Sequence, residues 1–143
     1  MGTNGIDERR LGVLSDTVIY VEATQFLKSF PEEYDLPPNQ QLIGLLTFSR
    51  NWGELVKFVK HQKDRDWGNK DAYKQFYTRL WCYLDDAKTG LRTRVKKDLG
   101  LIPVDLDKKQ ERELRDLWAG ALAREFVQHL VAAALYHSQG RRF

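Results

Sequence analysis

The sequence predicts an all-α fold, a bundle of about five helices closed by a long C-terminal helix. Three observations carry that prediction. Apolar residues recur at three- and four-residue spacing, strand-period alternation never persists beyond a few positions, and capping or breaking residues bound each periodic stretch. The 143 residues fit one helical domain, with 1–15 expected as a flexible lead-in because Gly2, Gly5 and Gly12 interrupt any pattern there. A chain of this length buries about 68–70% of the surface it exposes when unfolded, so it needs no disulfide or metal to fold.

Taken in order, Asp16 is placed to cap a first helix over Thr17 to Phe30, although Val18, Ile19 and Val21 are β-branched. Pro31, Pro37 and Pro38 around Glu32, Glu33 and Asp35 then require a loop. Leu42, Ile43, Leu45, Leu46 and Phe48 mark a strongly apolar second helix from Asn39 to Ser49. Asn51 with Glu54 three residues on is a capping-box pattern for a third helix to about Lys63, with Trp52, Leu55, Val56 and Val59 on one face. A fourth starts at Asn69 or Asp71 on the stripe Tyr73, Phe76, Tyr77, Leu80, Trp81 and Leu84; it either pauses at Thr89-Gly90 or runs to Gly100, a C-terminal cap. The last runs from Asp105 or Asp107 to about Ser138, roughly 30 residues. Its apolar end, Leu130 to Tyr136, must be enclosed by the bundle or by a neighbouring subunit.

Nothing in the residue pattern predicts catalysis, and no metal or other cofactor is expected. His129 and His137 stand two turns apart without a third ligand beside them, so no metal site is expected. Cys82 carries no nucleophile signature and is expected buried in its aromatic run, while capping accounts for Ser15, Ser29, Ser49 and Ser138. Asp85 and Asp86 are adjacent on a helix and point about 100° apart, unlike an acid-base pair. Gly90 and Gly100 stand alone and form no phosphate cradle. A lone cysteine fits a reducing compartment, and with no signal peptide or 20-residue apolar run the expected location is cytoplasmic.

Charge is unevenly spread. Residues 1–36 carry a net −4, 37–104 a net +6 and 105–143 a net +1. Within the basic part Lys57, Lys60 and Lys63 recur every three residues with Arg50 nearby, and Lys88, Arg92 and Lys96 every four with Arg94 and Lys97 nearby. Such rows neutralise a phosphate backbone without reading bases. They serve equally as a solubilising surface paired with Glu54, Asp64, Asp66, Asp85 and Asp98. Most aromatics between Trp67 and Trp81 share the helical spacing of a core, and Trp67, in a polar loop, is the one ring expected to be free for stacking.

The stretch Arg124-Glu125-Phe126-Val127-Gln128-His129-Leu130-Val131-Ala132-Ala133-Ala134-Leu135-Tyr136-His137 resembles the final helix of the small subunits of type III CRISPR effector complexes. Gln41 to Phe48, followed by a basic helix, is similar to the middle of such subunits. The resemblance implies a small helical protein without catalysis of its own, stacking with like copies inside an antiviral ribonucleoprotein and contacting the backbone of guide RNA and target RNA. On that reading Arg50, Lys57, Lys60, Lys63, Lys88, Arg92, Arg94, Lys96 and Lys97 meet the nucleic acid, and Leu130, Val131, Leu135 and Tyr136 meet protein. The competing reading is a helical protein-interaction adaptor or regulator that binds no nucleic acid.

Overall fold

A computed structural model describes residues 6–30 and 36–140, with the side chains of the last helix described to Tyr136. The fold is an all-α bundle with a long C-terminal helix, and the described residues contain no strand. The first rod is longer than the sequence predicts. Asp7 caps it by accepting from the backbone N–H groups of Arg9 and Arg10. It runs through α1 (Glu8–Leu14), a π-helical turn (Ser15–Ile19) and α2 (Tyr20–Lys28). Helix therefore occupies 8–14, where a flexible lead-in was expected, because Leu11 and Leu14 pack onto the core and Ile6 is buried beside them. Residues 1–5 of that lead-in, and 31–35 of the proline loop, lie outside the described residues.

The next helices follow the sequence closely: α3 is Asn39–Phe48 and α4 is Trp52–Asp64, with the Asn51 side chain accepting from the Glu54 N–H at 3.0 Å as its cap. The fourth expected helix is two. The chain forms α5 (Asp71–Asp85), breaks, and forms α6 (Leu91–Lys97). Asp86 makes the break by folding its carboxylate onto Lys88 N–H, Thr89 N–H and the Thr89 hydroxyl, which also holds that carboxyl below the ordinary range. Gly90 lets the chain turn tightly, since a Cβ there would lie 2.5 Å from the Asp86 nitrogen. Gly100, at φ 60°, ends the following segment as expected, with Leu99 and Leu101 N–H returned to Arg94 and Val95 carbonyls.

The last helix, α7 (Lys108–Gly140), starts on a reciprocal cap: Asp107 accepts from Gln110 N–H at 2.8 Å and Gln110 accepts from Asp107 N–H at 3.3 Å. It is the axis of the bundle, touching α1, the π turn, α2, α3, α4 and α6, while α5 packs onto α4 and α6. Phe126 stands at the centre, stacked on Tyr83 at 3.9 Å and edge-on to Phe26 at 5.6 Å, and Phe26 meets Phe76 edge-on at 5.5 Å. Each such buried ring contributes about 1.5–3 kcal/mol from area alone, with about 0.5–1.5 kcal/mol more for a well-set aromatic pair.

Candidate nucleic-acid interface

The α4/α5 hairpin gathers the first basic row. Leu55, Val59 and Gln62 turn α4 inward, which leaves Lys57 and Lys60 exposed and Lys63 on the edge that meets α5. Lys63 Nζ lies 2.7 Å from Asp64 Oδ1 and Lys60 Nζ 3.8 Å from Oδ2. The Lys63 hydrogen bond holds the Asp64 carboxyl below its ordinary range, reinforced by the charges of Lys60 and, from α5, Lys74. Two ammonium groups thus lie within 4 Å of one carboxylate, and a third acts on it through its charge. Lys60 and Lys63 also stand over the indole of Trp81, 5.9 and 5.6 Å from its centroid. Further round α5, Asp71, Lys74, Gln75, Thr78 and Arg79 border a shallow depression of about 470 Å³.

The second row is not a free cationic row. Arg92 Nε binds Asp116 at 2.6 Å and Lys96 Nζ binds Glu111 at 2.6 Å, clamping α6 to α7. Arg94 turns inward, its two terminal nitrogens 3.0 and 2.7 Å from the two oxygens of Glu22, which also accepts from the Tyr83 hydroxyl at 2.7 Å. Alternation along the short α6 gave no sign of these partners, which come from α2 and α7. Lys88 and Lys97 stay exposed without an ion pair among the described residues, and Arg50 sits apart, at the rim of a separate cleft.

Other expectations fare as follows. Leu130 and Val131, assigned to a protein interface, are enclosed by the chain's own core; Leu135 is half-buried against it, and Tyr136 alone of the four is exposed, at 78%. Trp67 is sealed rather than free, with its Nε1–H given to the Gln62 carbonyl at 2.8 Å, its ring parallel to Tyr77 and the Arg65 guanidinium 4.4 Å from its centroid. Trp81, read from the sequence as core, is packed against it half-buried, at the edge of the α5 stripe where α4's lysines reach it. Cys82, expected buried, is exposed.

A cleft of about 880 Å³ lies between α1, the α3–α4 turn and the middle of α7. Trp52 and Gly120 form part of its wall, and Arg50, Arg124, Glu8, Glu113, Asp116 and Glu125 mix both signs of charge around it. Behind Glu125 sits Ser15, which the sequence read as a cap but which is 3% exposed inside the π turn. Its hydroxyl lies 2.8 Å from Glu125 Oε1 and 2.8 Å from His129 Nε2. A hydroxyl has one proton, so with that proton donated to the carboxylate it accepts from Nε2–H. The trio bridges α7 and the π turn.

Among the described residues no three His, Cys, Asp or Glu side chains converge as metal ligands, and no helix is long and apolar enough to cross a membrane. Comparison with protein-family models, with curated proteins and with solved structures finds no match.

Proposed function

We propose that the protein is a non-catalytic RNA-binding subunit of a cytoplasmic ribonucleoprotein, of the kind represented by the small subunits of type III CRISPR effector complexes. Its own part is to lay the α4/α5 face along the sugar-phosphate backbone of guide or target RNA. The observation that carries the reading is the pair of lysines, Lys60 and Lys63, that share the single carboxylate of Asp64, with exposed Lys57 on the same helix and exposed Lys74 on α5. Lysines three apart on a helix stand about 5–6 Å from one another, a step comparable to that between neighbouring phosphates. Contact with other subunits and with like copies falls to Tyr136 and the end of α7. The CRISPR assignment rests on the resemblance of Gln41 to Phe48 and Arg124 to His137.

The test is RNA binding by the protein carrying Lys57→Glu, Lys60→Glu and Lys63→Glu. Affinity should collapse with an unchanged circular-dichroism spectrum, and the slope of log K against log salt should fall by about one for each phosphate no longer neutralised. Retained affinity would overturn the reading. Sequencing the RNA that accompanies the protein from its host tests the assignment: guide sequences support it, and their absence removes it.

A second reading, the adaptor without nucleic acid, is favoured by one feature. Val13, Tyr20 and Val21 leave apolar side chains exposed on the first rod, and such groups often mark protein contacts. Partner protein recovered with no nuclease-sensitive polymer would select it.

A further inference from the structure

We propose that the α4/α5 face takes a single strand and stacks one base on Trp81, an inference that rests on the nucleic-acid reading above. Four tryptophans are present, and their surroundings differ. Trp118 is buried. Trp52 is pressed against α7, where a Cβ at Gly120 would lie 3.2 Å from its own Cβ. Trp67 is occupied by Tyr77, Tyr73 and Arg65. Trp81 makes no aromatic pair among the described residues; the groups found over its ring are the ammonium ends of Lys60 and Lys63.

Those two occupants are what a strand would displace and use. Trp81 is half-buried against the core, and an ammonium on a four-carbon stem is mobile and strongly hydrated, so its hold on the part of the ring that water reaches is worth only about 0.5–1 kcal/mol. A base laid on the indole gains about 1–3 kcal/mol, so stacking replaces the weaker contact. The released lysines then stand beside the base, where the flanking phosphates of the same strand lie, with Lys74 on the α5 side and Lys57 one turn along α4. Asp64 stays ionised amid these cations, which keeps the lysines oriented before a strand arrives. A duplex offers no such contact, because its base faces are already covered by their neighbours. The face therefore distinguishes single from double strands without reading sequence, since every base has a π face.

The experiment uses the full chain and three fluorescent probes of equal length: oligoadenylate, the same backbone with abasic sites throughout, and an RNA duplex. Wild type should bind oligoadenylate about 5- to 30-fold more tightly than the abasic strand, the ratio that about 1–2 kcal/mol of stacking gives. Trp81→Ala should remove that preference and leave abasic binding unchanged, while Trp81→Phe retains most of it. Lys60→Glu with Lys63→Glu should weaken both strands alike. Equal wild-type affinity for adenylate and abasic strands would overturn the stacking proposal, and that result needs no variant to fold. So would a duplex bound as tightly as adenylate, or a Trp81→Ala loss shared by both strands. Absence of binding to all three probes at low salt would instead overturn the nucleic-acid reading itself.

Discussion

Arg94→Ala separates structural from binding cations. Arg94 and Glu22 make two hydrogen bonds, of 3.0 and 2.7 Å, with the Arg94 side chain 16% exposed and Glu22 26% exposed. Hydrogen bonds to charged groups contribute about 1.5–3 kcal/mol each, and breaking a fully buried pair costs about 3–5 kcal/mol by stranding a charge. Water reaches part of Glu22 and Tyr83 still donates to it, so the smaller share applies and the expected cost is about 2–3 kcal/mol. In urea, with a slope near 2 kcal/mol/M, the unfolding midpoint should fall by about 1–1.5 M. Glu22→Gln in a double-mutant cycle should show strong coupling to Arg94. RNA affinity of the folded variant should match wild type. An unmoved midpoint, or reduced affinity at an unmoved midpoint, would refute the inward assignment and return Arg94 to the binding surface.

Gly90→Ala should cost about 2–3 kcal/mol, because its Cβ would meet Asp85 and Asp86 backbone rather than a flexible side chain; calorimetry should show Tm lower by about 8–12 °C. Ser15→Ala should cost about 1–3 kcal/mol by leaving Glu125 and His129 unbridged, seen as a lower urea midpoint and loss of the protected His129 Nε2–H resonance. Burial pushes the Asp85 carboxyl above its ordinary range, with Asp116 adding to the effect and Arg92 opposing it. A raised carboxyl binds protons more tightly in the fold, so its contribution is present in acid and lost as pH rises through the folded value. Asp85→Asn should therefore raise the unfolding midpoint at neutral pH, with the advantage shrinking as acid protonates the wild-type side chain.

Local signals were legible where they sufficed. The Asn51 cap, the Asp71 start, Gly100 and the Asp107 cap all lie where short-range chemistry puts them, because a cap is decided within three or four residues. The opening of the chain was not legible. Gly12 and the β-branched run argue against a helix, and burial of Leu11, Leu14 and Ile19 against the bundle overrides that propensity. The candidate site divides the same way. The spacing of one amphipathic helix accounts for the outward placement of Lys57 and Lys60. Arg92, Arg94 and Lys96 were misassigned because their carboxylates come from α7 and α2. Lys74 and Trp81 come beside the α4 lysines only through the pairing of α4 with α5, which no spacing within either helix encodes.

The π turn at Ser15–Ile19 acts as a phase setter for the first rod. A π turn arises where one residue more than an α-helix needs is wound into the rod. Wound as a regular α-helix, the same residues would carry α2 about 100° further round relative to α1. With α1 seated on α7, Glu22 would swing away from Arg94 and Tyr83 while Phe26 left Phe126, breaking the ion pair and the aromatic centre together. The wide winding of this segment thus sets the phase of everything beyond it, and substitutions at exposed positions such as Asp16 leave that phase intact.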